Sequence, residues 1–245
     1  MLLVKNVAHK SLCLTKSDAM KHYMSIPRFK DDKSLLGEDV FAFNKLDGQN
    51  LCVKYLPKKN DFQSFGSRRM VIDEHSEVLG AAVAFFKKSD IPMVLSEIAN
   101  TNKKKHGEFV GVDEITFYFE WWGEHSFAGV HEPSDEMHLS LIDVWEKKKG
   151  LIEPKEYLKL FHGVEELDCP ELIYKGKLTN KFIKGIESND WTQPNALFPN
   201  IKEGVVITRT TRLPGQFLPK CKVKTKWWLD ELHKRYPEDK WNDLE

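Results

Sequence analysis

Four short segments hold the side chains best suited to chemistry. Lys45-Leu46-Asp47-Gly48-Gln49-Asn50 sets a primary amine beside a glycine turn, where it is well placed to project into a cleft. Tyr118-Phe119-Glu120 ends an aromatic run in an acid, and Lys202-Glu203-Gly204-Val205-Val206 puts an acid just before an apolar stretch. Lys222-Val223-Lys224 carries two lysines at i and i+2, a spacing that points both ammonium groups to one face of a strand. An amine, two carboxyl groups and a pair of cations are the means to bind and react with a charged ligand. Each piece also has a plainer use. Lys-x-Asp-Gly occurs by chance in many surface hairpins. Glu120 could be an edge-strand acid, Glu203-Gly204 a turn, and the lysine pair a solvated sheet face.

The surrounding pattern predicts the elements that must position them. Residues 40–44 and 51–55 read as strands joined across the Asp47-Gly48 turn, and 62–65 as a third. Helical spacing fits 77–88, and 91–100 reads as a second helix with Pro92 in its first turn. Residues 115–122 and 139–145 are aromatic and β-branched, hence strands. Short helices are predicted at 154–161 and 180–187, a loop at 188–200, strands at 204–208 and 220–225, and a closing helix at 227–235. Strands dominate without a regular βαβ alternation, which favours α+β.

Bulk properties set limits. The 245 residues, 41% of them hydrophobic, suffice for one sizeable core and are short for two full domains. No apolar run reaches the length of a membrane span, and residues 1–10 lack the apolar region of a secretory signal. Cys13, Cys52, Cys169 and Cys221 form no CxxC pair, so neither a zinc site nor a disulfide framework is expected, and a reducing cytoplasmic setting fits. Lys plus Arg and Asp plus Glu are both 37, so net charge is zero. That argues against binding nucleic acid by bulk charge and leaves room for a local basic groove.

Taken in order, Lys45-Leu46-Asp47-Gly48, Ser67-Arg68, Tyr118-Phe119-Glu120, Ile142-Asp143-Val144, Glu203-Gly204-Val205-Val206 and Lys222-Val223-Lys224 resemble the covalent nucleotidyltransferases, comprising RNA ligases, DNA ligases and mRNA capping enzymes. The resemblance runs from about residue 40 to about 232, and the closing Lys222-Val223-Lys224-Thr225-Lys226-Trp227-Trp228 is most similar to phage-type RNA ligases. It implies an adenylation domain of ATP-grasp-like antiparallel sheets with flanking helices over residues 1–245. The tail from 226 to 245 is expected to be helical and too short for an appended OB-fold.

The resemblance also implies roles. Lys45 would attack the α-phosphorus of ATP, forming a lysyl-AMP; AMP would then pass to a 5′-phosphate, and a 3′-hydroxyl would complete the join. A lysine is protonated at neutral pH, so its pKa is expected to be lowered by burial and by Lys222, Lys224 and a metal ion. Glu203, with Asp47 as a second candidate, would hold Mg²⁺. Arg68 and Glu120 would contact ribose and phosphates; Asn44, Leu46 and Asn50 would flank the nucleophile; Lys222 and Lys224 would bind phosphates. The expected substrate is RNA ends, acted on by a monomer, in a host cytoplasm if the source is viral. A DNA ligase, or a nucleotide-binding or nucleic-acid-end-binding module that does not ligate, is the alternative. One departure is plain: relatives stack an aromatic ring on adenine near Ile142-Asp143, and Leu139-Ser140-Leu141-Ile142 has none. Trp227-Trp228 and one of Trp121-Trp122 are expected to pack internally, Lys103-Lys104-Lys105 to form a solvated loop, and His125, His131 and His138 to form no metal site.

Overall fold

The computed structural model describes residues 20–215 and 217–244; the expectations for residues 1–10 and Cys13 lie outside the described residues. Strands β1 (Asp39–Lys45), β2 (Gly48–Leu56), β3 (Asp61–Gly66) and β4 (Val71–Ile72) are followed by helices α1 (Gly80–Lys88) and α2 (Ile91–Asn102). Then come β5 (Ile115–Gly123), β6 (Met137–Glu146), β7 (Gly150–Leu151), α3 (Pro154–Phe161), β8 (Leu172–Lys177) and α4 (Asn180–Glu187). The chain closes through β9 (Gly204–Arg209), β10 (Lys220–Lys224), α5 (Lys226–Arg235) and α6 (Glu238–Leu244).

Two antiparallel sheets result, one ordered β10-β9-β1-β8 and the other β4-β3-β2-β5-β6-β7. Alternation along each strand divides apolar from polar faces. In the four-stranded sheet Val40, Ala42, Val205, Ile207, Cys221 and Val223 share a core with Ile183 and Ile186 of α4. In the six-stranded sheet Leu51, Val53, Phe117, Phe119 and Leu141 pack with Val83 and Phe86 of α1 and Leu95 of α2. The opposite faces of the two sheets carry the polar residues and enclose a cleft between them.

The predicted strands and helices are present, with shifted edges. The first helix begins at Gly80 instead of 77. Strand β10 stops at Lys224 because Thr225 turns to cap α5, its side chain accepting a hydrogen bond from the Trp228 amide. Strand β8 was not predicted; it is the edge partner of β1 and none of its six residues is buried. Two glycines are required by close approach. A Cβ on Gly48 would lie 2.3 Å from the Trp121 carbonyl oxygen, and one on Gly204 (φ +152) would lie 2.0 Å from that of Val223.

Candidate active site

Lys45 is the last residue of β1 and Gly48 the first of β2, so the turn carrying Leu46 and Asp47 joins the two sheets at the cleft. Register then decides which side chains meet it. Lys45 pairs with Gly204, which pairs with Lys224. Two residues back along β1 the row is Phe43, Val206 and Lys222, and the next β9–β10 pair is Thr208 and Lys220. Across the cleft Asn50 pairs with Glu120. The cleft encloses about 680 Å³, within the range of small-molecule sites.

The candidate site residues Asn44, Lys45, Leu46, Asp47, Asn50, Arg68, Glu120, Glu203, Lys222 and Lys224 line this one cleft. Lys45 Nζ donates to Glu203 Oε2 at 2.9 Å, and Lys224 Nζ contacts Glu203 Oε1 at 2.8 Å. Glu203 is buried, so one carboxylate is clamped by two ammonium groups. Asn44 donates to the Asn200 carbonyl, leaving its buried Oδ1 without a partner. Asn50 donates to the Phe119 carbonyl. Arg68 and Lys222 complete the polar wall, and Leu46 also lines the cleft.

The electrostatics correct one expectation. Burial pulls the Lys45 pKa down, yet the charges of Glu203, Glu120 and Asp47 outweigh it, and the amine is held above its ordinary value. Without ligand Lys45 is therefore a firmly protonated cation. The lysines that move the other way are Lys222 and Lys224, each brought down to about 8 by burial; Lys224 and Lys45 add repulsion at Lys222, and Lys45 adds it at Lys224 against the pull of Glu203. Burial also lifts Glu120 to about 7, with Glu203 and Asp47 adding repulsion against the pull of Lys45 and Arg68. Burial would raise Glu203 too, but Lys224 and Lys45 hold it below the usual range.

Asp47 is raised by burial and by Glu203. It also has an anchoring role that its sequence position did not disclose. Its Oδ1 accepts from the Gly129 amide at 3.0 Å, and its Oδ2 from the Ala128 amide at 2.9 Å and the Trp228 indole at 2.6 Å. A carboxylate has about four acceptor sites, so one remains. Among the described residues no group of three or more His, Cys, Asp or Glu is gathered as a ready metal cage. The donor chemistry nonetheless suits a hard cation. Glu203, Asp47 and Glu120 offer only oxygen, Asp47 and Glu120 are both raised by burial and by the charge of Glu203, and Mg²⁺ commonly takes one or two carboxylates plus substrate phosphates.

Several cleft residues were not anticipated. Phe43, Ile152, Pro154, Tyr157 and Pro170 form an apolar wall beside the Phe43–Val206–Lys222 row, with Ile142 nearby. Lys220 pairs with Asp143, which also accepts from Tyr23 at 2.7 Å. The lysine spacing did carry that signal, since Lys220 precedes Lys222 by two on the same strand. The aromatic expectations hold: Trp228 and Trp121 are buried, and Trp227 meets Trp191 edge-on at 5.3 Å. His125 binds Asp135 and His131 binds Ser126.

No protein-family model matches the chain, and no curated protein matches it. Solved structures do. A variant of Naegleria gruberi RNA ligase with ATP and Mn superimposes with a TM-score of 0.59 at 15% identity, over 90% of this chain and 60% of that one. A variant of that ligase with AMP and Mn gives 0.59 at 14%, over 89% and 59%. An apo variant gives 0.58 at 15%, over 88% and 58%. The mixed α/β architecture of antiparallel sheets thus matches the fold of that ligase over the shared region. The chain spans about three-fifths of the length of the ligase chains it matches.

Proposed function

We propose that this protein is an ATP-dependent RNA ligase whose nucleotidyltransferase domain forms a lysyl-AMP on Lys45. The observation that carries the reading is the Lys45–Glu203–Lys224 clamp at one end of the cleft. Beside it, the Phe43–Val206–Lys222 row offers apolar wall and further cation. The triphosphate lies against Lys222 and Lys224, and the base against Phe43, Ile142 and Val206, where aliphatic and phenyl surface stands in for the missing aromatic near Ile142. Ligand structures in the neighbouring ligase contain ATP or AMP with Mn, which supports a nucleotide and a divalent cation here.

The Lys45 ammonium must lose its proton, to solvent in the cleft, before it attacks; Glu203, hydrogen-bonded to it at 2.9 Å and itself held below the usual carboxylate range, opposes that loss until a cation draws on its charge. The new bond joins Nζ to the α-phosphorus; the bond that breaks releases pyrophosphate. Lys222 and Lys224, poised near 8, become fully charged beside the phosphates and stabilise the negative charge of the transition state. A Mg²⁺ held by Glu203 and Asp47 would offset the carboxylate charge that keeps Lys45 protonated. In the later steps AMP passes to a 5′-phosphate, and a 3′-hydroxyl displaces it.

Incubation with α-labelled ATP and Mg²⁺ tests the reading. Wild-type protein acquires covalent label and Lys45→Ala does not. Label on the Lys45→Ala protein excludes Lys45 as nucleophile, and an unlabelled wild type excludes the enzyme. Supplying RNA and nicked DNA in parallel assigns the substrate, and sealing of DNA alone would replace RNA ligase with DNA ligase.

A further inference from the structure

Trp228 lies on α5, more than 180 positions from the Lys45 turn, and is fully buried. Its indole Nε1 donates to Asp47 Oδ2 at 2.6 Å. The Lys224 ammonium sits over its ring, 3.2 Å from the centroid, while donating to the Leu244 carbonyl of α6 at 3.2 Å. Phe127 stacks on the same indole at 5.2 Å, and the next two residues, Ala128 and Gly129, give their amides to Asp47. One side chain therefore touches both Asp47, two residues from the nucleophile, and Lys224, the second clamp on Glu203. A ring face attracts a cation, and an indole N–H is a donor only, so the two contacts are distinct in kind.

We infer that Trp228 is a positioning residue for the adenylylation step: its N–H fixes the Asp47 carboxylate, and through it the turn that aims Lys45. The inference rests on the ligase reading. Among the described residues, loss of the N–H frees Asp47 from its one side-chain donor and leaves its carboxylate held by the backbone amides of Ala128 and Gly129. The amine then spends less time in line with the α-phosphorus. Nucleotide binding is kept when an aromatic ring remains beneath Lys224, because the base wall is made by other residues of the cleft, Phe43, Ile142 and Val206. The shortfall accordingly appears in the rate at saturating ATP and not in the ATP concentration for half-maximal rate.

The test is single-turnover labelling by α-labelled ATP with wild type, Trp228→Phe, Asp47→Asn and the double variant. Trp228→Phe keeps an aromatic ring for Phe127 and Lys224 and removes the donor together with buried ring atoms, which is why a resonance measurement accompanies it. Its maximal rate falls about tenfold, the scale of one charge-assisted hydrogen bond, with half-saturation unchanged. The double variant is no slower than Asp47→Asn, because both changes break one link. Additive losses, a weakened ATP half-saturation with full maximal rate, or wild-type rates in Trp228→Phe would each overturn the inference. An unlabelled wild type would overturn the ligase reading itself, which separates the two failures. A measurement independent of activity guards against misfolding. In protein labelled with ¹⁵N-tryptophan, Asp47→Asn moves the Trp228 indole resonance, and an unmoved resonance also refutes the link.

Discussion

Replacing Glu203 with glutamine keeps the shape of the side chain and removes the charge that a buried and a half-buried ammonium group share. The contacts at 2.9 and 2.8 Å each amount to roughly 6 kcal/mol of gross attraction at an effective dielectric near about 20. Desolvation of the three groups offsets much of this, and breaking a buried pair costs on the order of 3–5 kcal/mol in practice. Lys224 has an escape: its pKa is already about 8, and without Glu203 it falls further, so it sheds its proton near neutrality at small cost. The loss is therefore expected at the low end, ~3 kcal/mol, which for a chain of this size is about 6–12 °C in melting temperature. Thermal and guanidinium unfolding of Glu203→Gln at pH 7 measure it. A shift below about 2 °C with an unchanged denaturant slope would show that the clamp is not what the geometry says.

Two further outcomes follow from the displaced pKa values. Binding of metal-free ATP at pH 8 should take up protons, because anionic phosphates raise Lys222 and Lys224 from about 8; calorimetry in buffers of differing ionisation enthalpy reads the number, and zero uptake contradicts their placement beside the phosphates. Glu146, far from the clamp, is raised from 4.5 to about 8 by burial and by Glu108. The folded state thus binds its proton more tightly than the unfolded one, and stability falls as pH rises between those two values. Glu146→Gln should flatten that slope in denaturant titrations at pH 5 to 8, and an identical slope in the variant would assign the effect elsewhere.

The elements around the Lys45 turn were legible because both flanking strands alternate and an Asp-Gly pair separates them. The β8 strand was not, since an edge strand ending Tyr174-Lys175-Gly176-Lys177 buries none of its residues and leaves no apolar stripe to read. Residue types marked Glu203, Lys222 and Lys224 as candidates, and strand register explains why they converge. What local sequence could not disclose was the sign of the Lys45 shift, which depends on a carboxylate 158 positions away. The same holds for Asp47, whose donors at 128, 129 and 228 are brought in by tertiary packing alone.

Strand β10 has a consequence for how reliably the site forms. Its outward residues are Lys220, Lys222 and Lys224, and its inward ones are Cys221 and Val223, both in the core under α4. A slip of one residue against β9 would trade the two sets, driving three ammonium groups into hydrocarbon and a thiol and an isopropyl group into the cleft. Greasy residues that never meet a nucleotide thereby act as the alignment key for the cations, so a polar substitution at Val223 would damage phosphate handling by misregistration without altering one charged group.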